Sequence, residues 1–152
     1  MKILFVCTGN SCRSQMAEGF AHAAGAEASS AGTEPAGYVH PLAIKVMGEI
    51  GINISAQTSK LLDLNMAKNM DVVITVCGEA DEACPVLSHV NRFHWPVPDP
   101  AQATGRPDEV LQVFREVRDD LRHRVNTFLK DWSAKPASNR DKRISIANGS
   151  EE

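Results

Sequence analysis

Residues 2–14 read KILFVCTGNSCRS, and this stretch decides the fold class. Its first five residues form a short apolar run that ends at a loop of Gly, Asn and Ser, which is typical of a buried parallel strand. Residues 14–24 follow, with Met16 and Phe20 at helical spacing. A strand, a tight polar loop and an amphipathic helix in this order predict the beginning of an α/β fold.

The same alternation continues along the chain. Three further runs are typical of strands: residues 26–31, 71–76 and 92–95. Three further segments have helical spacing: residues 41–50, 61–69 and 107–132, of which 61–69 is ambiguous. Pro41 and Pro107 each stand where the first residue of a helix is expected. Strands that alternate with helices predict a parallel sheet with helices on both faces.

Composition limits the kind of protein. The 152 residues carry a net charge of −3, so the strong basic excess of a nucleic-acid binder is absent. No apolar run reaches the length of a signal-peptide core or a membrane span, so we expect a cytoplasmic protein and no membrane partner. We assign residues 1–132 to a single domain and residues 133–152 to a polar, flexible tail.

The loop after the first strand has the properties of an oxyanion site. Ligands of open parallel sheets bind beyond the carboxyl ends of the strands, and Cys7 lies at such an end. Backbone amides of the loop and the following helix N-terminus can surround an anion, with Gly9 and Asn10 accepting positive φ. Arg13 adds a planar fork for two oxygens, and the same positive field favours the thiolate of Cys7 as a nucleophile. The predicted oxyanion-binding residues are Thr8, Gly9, Asn10, Ser11, Cys12, Arg13 and Ser14.

A tetrahedral oxyanion that is attacked at its centre releases an oxygen that needs a proton. Asp99 follows the last predicted strand on a proline-rich loop, at the same sheet edge as Cys7, so we predict that it is the general acid. The alternative is that the Asp-Pro pair is only a turn. We assign Cys12 to packing and no chemical step.

A second cysteine pair, Cys77 and Cys84, follows another apolar run. Four cysteines in a cytoplasmic chain indicate redox, catalytic or metal-binding roles more than a disulfide framework. In a helix the pair would lie roughly 10 Å apart, too far for a disulfide without partial unwinding. We therefore predict a segment that changes shape in a redox cycle. Two alternatives stay open: inert thiols, and a zinc site that would add His89 and His94.

The motifs together resemble one known family. The stretches CTGNSCRSQMAEGF, SAGTE, QTSKLLD, VVITVCGEADEACP and HWPVPDPA are similar, in this order, to the thioredoxin-coupled arsenate reductases with the low-molecular-weight phosphotyrosine phosphatase fold. The resemblance runs from about Lys2 to Trp132. It implies a three-layer α/β fold with a four-stranded parallel sheet and flanking helices.

The resemblance also implies a mechanism. Cys7 attacks arsenate that the loop and Arg13 hold, and Asp99 protonates the departing hydroxide. Cys77 attacks the adduct, arsenite leaves, and Cys84 then resolves the Cys7–Cys77 disulfide. Thioredoxin reduces the resulting Cys77–Cys84 disulfide, so no further cofactor is expected, although glutaredoxin or mycothiol as electron donor stays open.

One position departs from part of the family. Some relatives bind potassium beside the loop through side chains that match Asn10, Glu18 and Ser30 and an aspartate that matches Lys60. We therefore predict that Lys60 replaces the cation by pairing with Glu18, and that no metal is bound.

Two other functions are weighed against arsenate reduction. A phosphatase for phosphotyrosine or a small phosphate ester would use the same loop, but it leaves Cys77 and Cys84 unexplained. Its relatives usually place aromatic residues after Asp-Pro, where this chain has Ala101, Gln102 and Ala103. A thiol protein that only binds arsenite or zinc would leave Arg13 without a purpose.

We expect a monomer, and the sequence indicates no partners for His22, His40 and His123.

Overall fold

The computed structural model describes residues 1–77 and 91–134. Four strands form one sheet: β1 (Lys2–Cys7), β2 (Glu27–Gly32), β3 (Val72–Cys77) and β4 (Arg92–Pro96). Four α-helices accompany them: α1 (Arg13–Ala23), α2 (Pro41–Gly48), α3 (Leu64–Lys68) and α4 (Pro107–Ala134). A short 3₁₀ turn spans Pro100–Gln102. The strand order is β2-β1-β3-β4 and every pairing is parallel, which confirms the predicted four-stranded sheet.

The sheet is covered on both faces because its inner strands place apolar residues on both of them. Ile3 and Phe5 of β1 face the larger core, which they share with α1, α2 and α4. The alternate residues, Leu4 and Val6, face the smaller core beneath α3. This alternation on a buried strand produces the three layers that were predicted.

Both strands that end in a cysteine end one residue later than predicted. Cys7 is the last residue of β1 and Cys77 is the last residue of β3, so both lie at the carboxyl edge of the sheet. The long helix α4 also continues to Ala134, two residues past the predicted end at Trp132. The domain boundary at Ser133 stays a prediction, because residues 135–152 lie outside the described residues.

Membrane insertion finds no support in the described part of the chain. Within those ranges, no helix combines the length and the hydropathy that a bilayer span requires.

Candidate active site

The loop between β1 and α1 is held from outside by the segment 33–40, which we call the collar. Backbone amides of the collar donate to loop carbonyls: Thr33 to Cys7 (3.3 Å), Glu34 to Thr8 (2.9 Å), Ala36 to Gly9 (2.9 Å) and His40 to Ser11 (3.0 Å). The remaining carbonyl, of Asn10, accepts from Gln15 Nε2 at 2.9 Å. Five consecutive carbonyls therefore point outward.

Outward carbonyls direct the loop amides inward. In a trans peptide the N–H of the next residue points opposite to the carbonyl, so the amides of residues 8–12 face the interior of the loop. One of them marks the centre directly, since the Asn10 amide donates to Cys7 Sγ at 3.1 Å. The predicted anion cradle is thus formed around the Cys7 sulfur.

Backbone conformation in the loop differs from the prediction at one residue. Asn10 adopts φ of +48°, as expected for a residue that tolerates the left-handed region. Gly9 does not: the glycines with positive φ in the described chain are at positions 25, 37, 51 and 105. The prediction for Gly9 is wrong because a single left-handed residue at Asn10 suffices to turn the chain.

The glycine that the loop does require lies on β2. A Cβ atom on Gly32 would come within 2.4 Å of the Thr8 carbonyl oxygen and 3.0 Å of Asn10 Cβ. Gly32 pairs with Cys7 across the sheet, so only a residue without a side chain lets the cradle lie against β2. The sequence did carry a signal, the glycine after the predicted strand, but we had not connected it with the loop.

A chain of side-chain hydrogen bonds leads away from the sulfur. Cys7 Sγ lies 2.9 Å from Ser14 Oγ, which accepts from Asn10 Nδ2 at 2.7 Å. Asn10 Nδ2 also donates to Ser30 Oγ at 2.9 Å, and Ser30 Oγ donates to Glu18 Oε1 at 2.6 Å. The structure therefore brings together Asn10, Glu18 and Ser30, three of the four residues that the resemblance grouped, and adds Ser14 to them.

Lys60 does not pair with Glu18, and this prediction is wrong. The Lys60 Nζ donates to Thr58 O at 3.2 Å and lies 3.4 Å from Thr58 Oγ1, on the exposed side of the segment. An ammonium group at the surface keeps its hydration, which a buried position beside Glu18 would remove. The contribution of Lys60 to the loop is its backbone amide, which donates to Asn10 Oδ1 at 2.9 Å.

Gln15 is a polar residue that sequence reasoning missed. It is fully buried on α1, and its Nε2 joins Asn10 O to Thr58 O, each at 2.9 Å. Gln57 Nε2 donates in turn to Gln15 Oε1 at 2.9 Å. The only sign in the sequence is a polar residue beside the apolar positions of the first helical turn.

Arg13 and Asp99 meet at the mouth of the cradle. Arg13 is buried, its NH1 donates to the Val97 carbonyl at 3.1 Å, and its NH2 lies 3.8 Å from Asp99 Oδ2. Asp99 Oδ1 accepts from the Ala101 amide at 3.0 Å and caps the 3₁₀ turn. The turn and the functional interpretation of Asp99 are thus compatible: the turn holds the carboxyl beside the arginine.

The two loop cysteines have different surroundings. Burial raises the pKa of the Cys12 thiol to about 12. The Ser11 hydroxyl lowers this pKa and the nearby Asp99 raises it, and both effects are smaller than that of burial. Cys12 therefore stays a thiol at neutral pH, in agreement with its assignment to packing. Cys7 instead receives the Asn10 amide and the Ser14 hydroxyl at its sulfur.

Cys77 is fully buried on the strand that neighbours β1. It is disulfide-bonded, whereas Cys7 and Cys12 are free thiols. The zinc alternative depends also on Cys84 and His89, and the structure describes neither of them. Cys84 and the segment that joins it to Cys77 lie outside the described residues.

Known proteins can now be compared with this site. Residues 2–138 match the family described as low molecular weight phosphotyrosine protein phosphatase. An arsenate reductase of Shouchella clausii is 48% identical over 130 residues, which is 83% of this chain and 93% of the relative. The chain belongs to the arsenate reductases of this phosphatase family.

Solved structures of the family agree in fold. An arsenate reductase in a phosphate-binding state has 38% identity and a TM-score of 0.67, and the match covers 86% of this chain and 97% of that one. A thioredoxin-dependent arsenate reductase of Corynebacterium glutamicum has 28% identity and a TM-score of 0.67, over 86% of this chain and 60% of that one. The family assignment accounts for the phosphatase-type cradle of this chain.

Proposed function

We propose that this chain reduces arsenate to arsenite, with Cys7 as the nucleophile. The observation that carries the proposal is the amide-lined cradle centred on Cys7 Sγ, with Cys77 on the adjacent strand at the same sheet edge. A cradle of inward amides with a buried guanidinium suits a tetrahedral oxyanion, and arsenate has this shape and charge. The arsenate reductases among its relatives support this choice of oxyanion.

The first step uses the cradle. Arsenate binds with its oxygens toward the loop amides and Arg13, and the Cys7 thiolate attacks arsenic. An arsenic–sulfur bond forms and an arsenic–oxygen bond breaks. Asp99 gives a proton to the departing oxygen, which leaves as water. Placement of Asp99 beside Arg13 supports this role.

The second step is the reduction. Cys77 attacks Cys7 Sγ, the electrons of the arsenic–sulfur bond pass to arsenic, and arsenite leaves with arsenic reduced by two electrons. The resulting Cys7–Cys77 disulfide is attacked by Cys84, which frees Cys7 and leaves Cys77 oxidised. After this step Cys77 is disulfide-bonded and Cys7 is a free thiol, as they are in the structure.

Two electrons must then enter from a dithiol donor. We propose thioredoxin, which the name of the Corynebacterium glutamicum relative supports. The monomeric state and the cytoplasmic location stay predictions.

A single turnover tests the proposal. The chain is reduced, freed of reductant and mixed with arsenate, after which arsenite is quantified and disulfides are mapped by mass spectrometry. About one arsenite per chain, together with an arsenate-dependent Cys77–Cys84 disulfide, is the expected result. Intact thiols without arsenite would contradict it, and hydrolysis of para-nitrophenyl phosphate would then identify a phosphatase. Asp99→Asn is expected to slow the first step without loss of phosphate binding.

A further inference from the structure

Glu18 is a buried carboxylate that needs a positive partner. Its side chain is 8% exposed, and Oε1 accepts the Ser30 hydroxyl at 2.6 Å. Removing a carboxylate from water is unfavourable unless donors or an opposite charge compensate. Since Lys60 turns to Thr58, the compensation at Oε2 must come from another group.

A potassium ion does not fit these side chains as they are arranged. Such a cation requires several oxygen atoms that converge as acceptors. Asn10 Oδ1 is taken by the Lys60 amide, and the Asn10 nitrogen, a donor, faces Ser30 and Ser14. Ser30 gives its proton to Glu18. Asn10 Oδ1, Ser30 Oγ and Glu18 Oε1 thus already accept hydrogen bonds from the protein.

The group that faces Glu18 Oε2 is His22. It lies one helical turn further along α1, with Nε2 3.6 Å from Oε2, and it is the one basic side chain that the described residues bring within ion-pair distance of Glu18. Nε2 is also 2.8 Å from the Ala28 carbonyl of β2. Because a carbonyl oxygen can only accept a hydrogen bond, His22 Nε2 carries a hydrogen whether the ring is neutral or charged. This N–H donates to Ala28 O and is also close to Glu18 Oε2.

We propose that His22 is a positioning residue for Cys7 that acts through Glu18. His22 places a ring nitrogen 3.6 Å from Glu18 Oε2, and the Glu18 carboxylate can only accept hydrogen bonds. Ser30 must then donate to Glu18 and accept from Asn10, whose second hydrogen goes to Ser14.

The groups at the two ends of this hydrogen-bonded series, from Glu18 to Cys7, determine which partner donates in each of its hydrogen bonds. The Lys60 amide fixes which side of the Asn10 amide is oxygen, and Glu18 fixes the proton of Ser30. Ser14 Oγ already accepts from Asn10, so its own proton is left for Cys7 Sγ at 2.9 Å. That donor stabilises the Cys7 thiolate.

The inference rests on the proposed role of Cys7 as nucleophile, and its test uses two readouts on the full chain. The first is the rate at which iodoacetamide alkylates Cys7 in the reduced protein, measured by peptide mass spectrometry. The second is arsenite formed in a single turnover. Both are measured in choline chloride and in potassium chloride at equal ionic strength. The variants are His22→Ala and His22→Lys, with His123→Ala, an exposed histidine on α4, as the matched control.

His22→Ala is expected to slow both rates three- to tenfold, and potassium is not expected to restore the loss, because the oxygens beside Glu18 do not converge on a cation. His22→Lys, which can pair with Glu18 one turn away, and His123→Ala should stay within twofold of the parent in both media. Parental rates for His22→Ala in choline would overturn the inference. So would a loss that His22→Lys does not repair, because the role would then be only structural. If the parent forms no arsenite while alkylation still responds to His22, the proposed function fails and this inference stands.

Discussion

Replacing Gly32 with alanine tests how closely the oxyanion loop must lie against β2. The backbone of Gly32 is fixed on both sides, since its amide donates to Lys60 O at 2.9 Å and its carbonyl accepts from Leu62 at 2.8 Å. The new Cβ would lie 2.4 Å from Thr8 O, so the loop, and not the strand, has to give way.

The displacement can be converted into a rate. Thr8 O must retreat by about 1 Å to reach an ordinary contact of 3.4 Å. A misplacement of about 1 Å at a reacting centre lowers a rate about 100-fold, or about 2.7 kcal/mol in activation free energy. Overpacking of this kind also lowers the free energy of unfolding by about 1–3 kcal/mol.

The assay is the single-turnover rate of arsenite formation, after circular dichroism has established that Gly32→Ala is folded at the assay temperature. Gly48→Ala is the control, because a Cβ there would meet no heavy atom within 4 Å. We expect parental activity for the control and an increase in unfolding free energy of up to about 1 kcal/mol. A folded Gly32→Ala variant with a rate within threefold of the parent would refute the steric argument.

Three further predictions concern titration and the spare thiol. Burial lowers the pKa of His40, whose neutral ring accepts a hydrogen bond from the Leu42 amide at 3.1 Å. As the pH drops, the unfolded chain therefore takes up the proton before the folded chain does. The free energy of unfolding should fall below about pH 6.5. His40→Asn keeps the helix cap without titrating, so its melting temperature between pH 7.5 and 5 should vary less than that of the parent. Hydrogen bonds from Arg115 lower the pKa of Glu49 to about 2. The Glu49 carboxylate therefore contributes to stability above pH 4.5, and this contribution is lost as the pH falls toward 2. Glu49→Gln should remove this part of the acid denaturation curve. Cys12→Ala should form arsenite within about threefold of the parent, because a thiol with a pKa of about 12 supplies no thiolate at neutral pH; a much larger loss would give Cys12 a chemical role.

The parts of the fold that could be predicted are those that depend on neighbours in sequence. The apolar runs 2–6 and 71–76 are long enough and uninterrupted enough to be strands, and the polar loop after the first one marks the carboxyl edge of the sheet. The placement of Cys7, Arg13 and Asp99 at that edge follows from chain order and parallel pairing alone.

The parts that could not be predicted depend on where side chains from distant segments point. Lys60 carries an amide donor and an ammonium donor, and the sequence does not tell which of them reaches the site. The partnership of His22 with Glu18 was overlooked although the residues are four apart, because burial, which makes it matter, is a property of the packed helix. The contacts of the collar could not be predicted, since hydrogen bonds between backbones carry no side-chain signature.

The collar has a consequence for protein engineering. The eight residues from Cys7 to Ser14 hold the nucleophile and all five inward amides, so they look like a module that could be moved into another scaffold. Their carbonyls, however, are held by the collar and by Gln15 from outside. A transplant of these eight residues alone would leave each peptide plane free to turn over and present oxygen to an anion. A transferable unit must therefore include the collar and the glycine-ended strand that precedes it.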